Sequence, residues 1–353
     1  MTEKRIFKMT KKLMVGSVPV GGGTPVTIQS MCNTKTDQVD ATVAQIHALE
    51  AAGCEIIRIA VPDEAAAMAV DRIKEQITIP LIADIHFNYK LAIMCAERGI
   101  DALRINPGNI GGEERVKAVA EACRRKRIPI RIGVNGGSLE KSLRAKYGGV
   151  TAEALVESAM GHVKLLNRYD FDDICISVKC SDVPLTMRSY TLLSQQTDYP
   201  LHLGVTEAGT PAMGMIKSAM GIGGLLCMGI GDTMRVTLTA DPVEGVYAAQ
   251  RILRAAGLRR DGVNLIACPT CGRTRIDLIP MAEEVERRLA GCKKNITVAV
   301  MGCAVNGPGE ASAADVGIAG GDGEGLIFRK GEILYKVPQE QLVDALMKEI
   351  EKL

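Results

Sequence analysis

The sequence predicts a (β/α)8 barrel followed by a smaller α+β domain. Short β-branched runs alternate with amphipathic stretches between about Thr24 and Thr239, a pattern typical of repeated βα units on a parallel sheet. Eight such runs occur, at the spacing of a (β/α)8 barrel. The composition then changes, and a new strand leads directly into cysteines. The predicted domains are therefore residues 1–260 and 261–353.

The predicted elements follow in chain order, with a doubly wound open sheet as the alternative for the first domain. The barrel strands are predicted at 26–30, 55–60, 81–84, 102–106, 128–135, 173–179, 201–207 and 225–230. Helix ends are readable between them, as in 36–52, which Gly53 closes, and in 62–76. The second domain is predicted as strand 264–267, helix 278–289, strand 297–301, a glycine-rich loop, a hairpin turning at Lys330-Gly331, and helix 339–353.

Composition and charge exclude several classes of protein. A formal charge of +2, no Trp and 3% aromatic residues argue against nucleic-acid binding. Lys217 interrupts the most apolar stretch, 208–228, so no membrane span is expected. The first twenty residues are basic and lack an apolar signal core, which favours a cytoplasmic location. Eleven cysteines in that reducing compartment are expected to be thiols or metal ligands.

The strongest local signal is a cysteine pattern in the second domain. Cys268 and Cys271 form a CxxC pair directly after one predicted strand, and Cys303 follows the next strand. Thiolates so placed can converge on one metal or cluster. The fourth ligand is open between Cys292 and Glu310, and Glu310 is favoured because it closes a Gly- and Pro-rich loop. A structural zinc site and unrelated buried cysteines are the alternatives, although this segment contains no His.

Cations inside the predicted barrel strands indicate an anion site. Arg58, Arg104, Arg131 and Lys179 lie in four different strands, which are covered on both faces in a parallel barrel. We expect them at or near the carboxyl ends of the strands, where barrel active sites form. Because side chains alternate along a strand, Asn106 shares a face with Arg104, and Asn135 shares one with Arg131.

A glycine-rich turn at 229–231, predicted to follow the eighth strand, adds Arg235 and the hydroxyl of Thr237 to this mouth. Five cations suit a polyanionic ligand such as a phosphate group. Salt bridges to Asp84 and Glu207 are the counter-interpretation, which could satisfy one or two of the cations. Glu207, at the end of predicted strand seven, is the candidate for proton transfer.

Motifs along almost the whole chain resemble the 4-hydroxy-3-methylbut-2-enyl diphosphate synthase (GcpE) family in its short bacterial form. They are Gln29-Ser30-Met31, Arg104-Ile105-Asn106-Pro107-Gly108-Asn109, Gly133-Val134-Asn135-Gly136-Gly137-Ser138-Leu139, Thr206-Glu207-Ala208-Gly209, Gly229-Ile230-Gly231-Asp232-Thr233, Cys268-Pro269-Thr270-Cys271-Gly272-Arg273 and Asn306-Gly307-Pro308-Gly309-Glu310. Thr237 departs from the family pattern, since many relatives have Ser there.

The resemblance implies a reductive ring opening in isoprenoid biosynthesis. It implies a 4Fe-4S cluster on Cys268, Cys271, Cys303 and Glu310, so that the second domain would be an iron-sulfur domain. It also implies a substrate, 2-C-methyl-D-erythritol 2,4-cyclodiphosphate, whose diphosphate meets the five cations. An electron donor, flavodoxin or ferredoxin, and a head-to-tail homodimer are implied as well. A non-redox barrel enzyme acting on a phosphorylated substrate, with a structural metal domain, is the alternative function.

Overall fold

The chain divides between Leu258 and Arg259 into two compact units. The structure, a computed structural model, describes residues 8–260, 262–290, 292–304, 309 and 311–353. Each unit has a hydrophobic core of its own.

The first unit is an eight-stranded parallel barrel preceded by a hairpin. The hairpin consists of β1 (Leu13–Val15) and β2 (Val18–Val20). The barrel strands are β3 (Thr27–Met31), β4 (Ile56–Ala60), β5 (Leu81–Ile85), β6 (Ala102–Ile105), β7 (Ile130–Asn135), β8 (Ile174–Lys179), β9 (His202–Leu203) and β10 (Thr233–Met234). Strands β3 to β8 pair in sequence, and β10 pairs with both β3 and β9. A parallel bridge between Ile176 and Leu201 joins β8 to the start of β9 and closes the circle.

Helices surround the barrel on its outer side. They are α1 (Val39–Ala51), α2 (Glu64–Met68), α3 (Val70–Lys74), α4 (Tyr89–Glu97), α5 (Pro107–Ile110), α6 (Glu113–Lys126), α7 (Lys141–Lys146), α8 (Ala152–Asn167), α9 (Val183–Gln196), α10 (Pro211–Ser218), α11 (Gly224–Cys227) and α12 (Pro242–Ala255). A π-helical turn, Ala219–Gly223, joins α10 to α11. Side-chain N-caps begin several of them, as at Thr151 of α8 and Asp182 of α9.

A hydrophobic floor closes the amino-terminal end of the barrel. Leu13, Val15 and Val20 of the hairpin form one buried cluster with the first inward-facing residues of four strands. Those four residues are Ile56, Ile82, Ala102 and Cys175. The hairpin therefore covers the end of the barrel opposite to the carboxyl ends of its strands.

The described residues of the second unit form a five-stranded mixed sheet with two α-helices. Its strands are β11 (Val263–Ala267), β12 (Ile296–Met301), β13 (Val316–Gly320), β14 (Glu324–Arg329) and β15 (Glu332–Pro338), in that spatial order. The first three are parallel to one another, and β14 and β15 are antiparallel additions. The helices α13 (Leu278–Leu289) and α14 (Leu342–Glu351) pack on the sheet through an apolar cluster.

The fold class predicted from the sequence is confirmed, with one strand wrong. The first half of the predicted run 225–230 belongs to the short helix α11, and the eighth strand is Thr233–Met234. A short apolar run without alternation fits a buried helix as well as a buried strand, which is the source of the error. The strands of the β1–β2 hairpin and β13 were not predicted. Within the described residues, no helix is long and apolar enough to span a bilayer.

Candidate active site

Five cationic side chains face the interior of the barrel, and we call them the cation ring. They are Arg58, Arg104, Arg131, Lys179 and Arg235. The first four are at least nine-tenths buried, and Arg235, directly after β10, is half-buried. The strand register sets Arg104 beside Arg131, so that like charges lie on adjacent strands. Such a concentration of buried positive charge is costly unless anions compensate it.

One member of the cation ring lies deeper in the barrel than the sequence predicts. Lys179 is the last residue of β8, as expected for a residue at the carboxyl end of a strand. Arg131, however, is the second residue of β7, which continues to Asn135. It therefore lies about 13 Å deeper along the strand than Asn135. The prediction that all the cations lie at or near the carboxyl ends is wrong for Arg131.

Two glycines make room for these long side chains. A Cβ on Gly133 would lie 2.4 Å from Nε of Arg104, and a Cβ on Gly204 would lie 2.5 Å from Nζ of Lys179. Real side chains do not approach so closely, so any larger residue at either position would displace a cation. The sequence signal for this role was a glycine on the inward-facing side of a strand.

Asp84 is the carboxylate that compensates part of the ring. Its Oδ1 accepts from Nη1 of Arg104 at 3.0 Å, and its Oδ2 lies 3.6 Å from Nε of Arg58. Nε2 of the half-exposed His86 lies 3.7 Å from the same Oδ2. The counter-interpretation from the sequence is thus correct for Asp84, whereas Glu207 forms no ion pair with the ring within the described residues.

Arg131 and Lys179 lack such compensation. None of the three guanidinium nitrogens of Arg131 has a hydrogen-bond partner among the described residues, although all are buried. Burial, followed by the charges of neighbouring ring members, lowers the pKa of both Arg131 and Lys179 well below the ordinary values. The pKa of Arg235 is lowered to about 9, first by burial and then by Arg58. An anion bound here would relieve this repulsion.

Met31 is a contact of the ring that the sequence reasoning missed. Its Sδ accepts from Nε and Nη2 of Arg58 at 3.2 and 3.0 Å, and from Nη1 of Arg235 at 3.5 Å. The thioether orients two guanidinium groups without neutralising either. Its signal was alternation, since Met31 ends β3 on the same face as Gln29.

The two predicted amide ligands lie beside the ring. With its amide oriented by its neighbours, Asn135 accepts from Nη2 of Arg104 at 3.2 Å and donates to the carbonyl of Val134. Asn106 caps α5 through Gly108 N, and its Nδ2 donates to Oγ of Ser138 at 3.4 Å. Thr237 lies half-buried in the segment after β10.

Glu207 lies on a groove next to these amides. The groove has a volume of about 540 Å³, and Asn135, Ser138 and Glu207 contribute to its lining. Glu207 is exposed and has a φ of 53°, a left-handed conformation that few non-glycine residues adopt. The carboxylate is therefore solvent-accessible and held on an unusual backbone turn.

Three of the four cysteines of the second unit, Cys268, Cys271 and Cys303, follow the carboxyl ends of β11 and β12, and we call this side of the sheet the cysteine edge. Ala267 pairs with Val300, so Cys268 emerges beside the end of β12, and Cys303 follows two residues after that strand. Gly302 N donates to Sγ of Cys268 at 3.1 Å. Hydrogen bonds from the backbone and side chain of Arg273 lower the pKa of the exposed Cys271 thiol. The lowered pKa favours the thiolate form of Cys271.

Of the two candidates for the fourth ligand, the structure describes only Cys292. Cys292 packs against the apolar core before β12 begins, whereas Cys303 follows the end of that strand. The length of β12 alone, about 17 Å, separates the two positions. Glu310 lies outside the described residues, and no group of three potential ligands close enough for a metal ion occurs within them.

Comparison with known proteins identifies the family. The GcpE TIM-barrel domain matches residues 10–250, and the GcpE protein C-terminal domain matches residues 264–352. The chain belongs to the GcpE family. The family resemblance predicted from the motifs is thereby confirmed.

Relatives within the GcpE family match nearly the whole chain. One from Geobacter sulfurreducens is 61% identical over 344 residues, with 98% of each chain covered. One from Clostridium perfringens is 60% identical over 344 residues, covering 98% of this chain and 99% of the relative. Both are named 4-hydroxy-3-methylbut-2-en-1-yl diphosphate synthase (flavodoxin). The solved 3-dehydroquinate dehydratase of Geobacillus kaustophilus, 13% identical with a TM-score of 0.51, covers 70% of this chain and 98% of its own, and is similar in fold alone.

Proposed function

We propose that the chain reductively opens and dehydrates 2-C-methyl-D-erythritol 2,4-cyclodiphosphate to give 4-hydroxy-3-methylbut-2-enyl diphosphate. The observation that carries this proposal is the cation ring, in which Asp84 is the one buried carboxylate that contacts the cations among the described residues and pairs with only two of the five buried or half-buried cations. A diphosphate supplies the missing negative charge. The reaction belongs to isoprenoid biosynthesis, and the reducing cytoplasm would keep the cysteines as thiols.

The ring binds and orients the substrate in this proposal. Arginines offer paired N–H groups that suit phosphate oxygens, and Lys179 adds a point charge at the mouth. Asn106, Asn135 and Thr237 supply neutral hydrogen bonds beside them. When a C–O bond of the cyclic substrate breaks, negative charge builds up on the departing diphosphate. The cations of the ring stabilise that charge most strongly in the transition state.

The cysteine edge fits an iron-sulfur cluster. Cys268, Cys271 and Cys303 are unpaired thiols at the ends of adjacent parallel strands, and this donor set suits iron. We propose these three and Glu310 as the ligands of a 4Fe-4S cluster. A cluster held there would supply electrons singly for the reductive step. Glu310, as an oxygen donor among thiolates, is the ligand most readily exchanged.

Glu207 is proposed as the proton donor. Expulsion of a hydroxyl as water needs one proton, and this accessible carboxylate lines the groove beside Asn135. Flavodoxin, named for the relatives, is the proposed electron donor, and ferredoxin is the other candidate. The cations and the cysteines belong to different units of the chain, and we propose a head-to-tail homodimer that brings them together.

The test begins with anaerobic reconstitution of the full chain with iron and sulfide. Phosphorus NMR then follows the cyclodiphosphate in the presence of a strong low-potential reductant. Reductant-dependent conversion to a linear diphosphate is expected. An unchanged substrate with a fully loaded cluster would contradict the proposal and favour a non-redox barrel enzyme.

Matched cysteine variants sharpen the test. Cys303→Ser should lose both the cluster absorbance and turnover, whereas Cys227→Ser, at an exposed barrel cysteine, and Cys292→Ser should retain both. Glu310→Cys should keep a cluster but suppress turnover. Full activity of Glu310→Cys would contradict the exchangeable-ligand role.

A further inference from the structure

A small chamber, lined mostly by apolar residues and by four polar ones, lies between the cation ring and the hydrophobic floor. Its volume is about 20 Å³. The apolar side is formed by floor residues, including Leu13 and Val20 of the hairpin. The polar side is formed by Gln29, Arg131 and His202, together with Thr233. Each of these four belongs to a different barrel strand.

The polar atoms around the chamber are unpartnered. They are the three guanidinium nitrogens of Arg131, both ring nitrogens of His202, Oε1 of Gln29 and Oγ1 of Thr233, all buried and without a hydrogen-bond partner among the described residues. His202 is fully buried. Buried donors and acceptors are almost always satisfied, because leaving them unpaired is strongly destabilising. Their concentration around one chamber indicates that a shared partner satisfies them.

The chamber is large enough for one water molecule, and its four polar residues can supply the hydrogen-bond partners. A buried water needs about 10–15 Å³ of such volume and two to four polar partners. Arg131 offers donors only, whereas Gln29 Oε1 and Thr233 Oγ1 offer acceptors. A water can accept from the guanidinium and donate to an acceptor, which links these groups.

His202 can serve as one of those acceptors because it stays neutral. Burial lowers its pKa well below the ordinary value, and the charges of Arg131, Lys179, Arg58 and Arg235 lower it further. A neutral imidazole carries one unprotonated nitrogen that accepts a hydrogen bond.

We propose that His202 is a positioning residue for the Arg131 guanidinium, acting through a water held in this chamber. A carboxylate in its place would cancel the charge of Arg131. A neutral acceptor fixes the orientation of the guanidinium and leaves its charge available to the ligand. This inference rests on the proposed binding of a diphosphate by the ring.

The test compares two variants of His202 in the reconstituted full chain. His202→Phe keeps a flat ring but removes both nitrogens, whereas His202→Gln keeps an acceptor. Inorganic diphosphate is the probe for calorimetric Kd, and KM and kcat are measured with the cyclodiphosphate. For His202→Phe we expect Kd and KM to rise about tenfold or more, since a hydrogen bond to a charged group is lost. For His202→Gln we expect Kd and KM within about threefold of the unmodified chain, and kcat should change little in either variant.

A merely structural role would give a different result. Both variants would then lose binding in proportion to their loss of Tm, without a split between KM and kcat. Unchanged diphosphate binding by His202→Phe would also overturn the proposal. If His202→Phe fails to fold, Thr233→Val removes one chamber hydroxyl at nearly constant shape and should still weaken binding. Thr191→Val, on the outer helix α9, is the control and should leave diphosphate binding unchanged.

A high-resolution crystal structure of the full chain provides the direct observation. We expect one ordered water within hydrogen-bond distance of Arg131 and His202, and a dry chamber would overturn the inference. Failure of the proposed function can be distinguished from failure of this inference. If the unmodified chain does not bind diphosphate but the water is present, the proposed function fails and the chamber assignment stands.

Discussion

Two opposing effects set the pKa of Asp84. Burial alone would raise the pKa of this carboxyl, but Arg58, Arg104 and Arg131 lower it to about 2. Asp84 is therefore ionised at neutral pH and holds two of the arginines through direct ion pairs.

This balance predicts the acid stability of the barrel. Because the pKa of Asp84 falls from 3.8 to about 2 on folding, its contribution is fully present above pH 3.8 and is lost as pH drops toward 2. The loss is on the order of 2 kcal/mol. Urea unfolding of the metal-free chain between pH 5 and 2 should show this component, and Asp84→Asn should lack it while being less stable at pH 7. Asp71→Asn, at a partly exposed ion pair, is the control. Identical pH dependence of the Asp84 variant and the unmodified chain would contradict the assignment.

Glu207 supports a kinetic prediction. Glu207→Gln preserves the size of the side chain and removes its proton-donating capacity, so kcat should fall about a hundredfold or more with KM unchanged. Steady-state kinetics on the reconstituted protein measure this. Glu244→Gln, on the outer helix α12, is the control. Undiminished kcat in Glu207→Gln would exclude the proton-donor role.

The sequence predicted the charged residues of the site better than the uncharged residues that contact them. Arg58, Arg104 and Lys179 stand out because charge within a covered strand is rare. Met31 and His202 do not stand out, since an inward Met or His resembles an ordinary core residue until its contacts are known.

At the scale of elements, the shortest strands were the hardest to predict. β9 and β10 each have two residues, yet they carry His202 and lead into Gly204 and Arg235. Neither strand has enough residues for an alternating pattern, whereas the longer β7 and β8 were located to within two residues. Pairing with neighbouring strands determines the extended conformation of these short segments. A local stretch of sequence does not contain that long-range information.

The inward glycines of the strands give a prediction at this scale. Gly133→Ala places a methyl group against Arg104 and should displace its guanidinium, which would weaken diphosphate binding about tenfold or more. Gly137→Ala, four residues later, meets no atom within 4 Å and is the matched control. Calorimetry with inorganic diphosphate compares the two. Equal affinities would show that Arg104 does not need this space.

For the whole molecule, the central feature is that cations and cysteines belong to separate units. The cation ring lies before Leu258 and the cysteine edge lies after Arg259, so neither unit alone has the residues for the proposed reaction. The change in composition after residue 260 is the sequence signal on which the predicted domain boundary rests. The arrangement of chains that joins the two sets is part of the proposal.

Subunit mixing tests that arrangement. Arg131→Met removes a ring cation and Cys303→Ser removes a cluster ligand, and each variant alone should be inactive. In a head-to-tail homodimer, mixed dimers regain one intact site, so an equimolar mixture that exchanges subunits should recover up to about a quarter of the unmodified activity. Mixing Arg131→Met with Arg104→Met is the control and should recover none. If native mass spectrometry shows exchange but the first mixture stays inactive, the head-to-tail arrangement is wrong.

The hairpin floor closes the amino-terminal end of the barrel. Because Leu13, Val15 and Val20 cover this end, the proposed substrate would enter and its product would leave at the carboxyl ends of the strands. A second substrate molecule cannot bind until the first product has departed. Anything that covers the mouth during the reaction therefore shields it from bulk solvent and also sets the time that each product must wait.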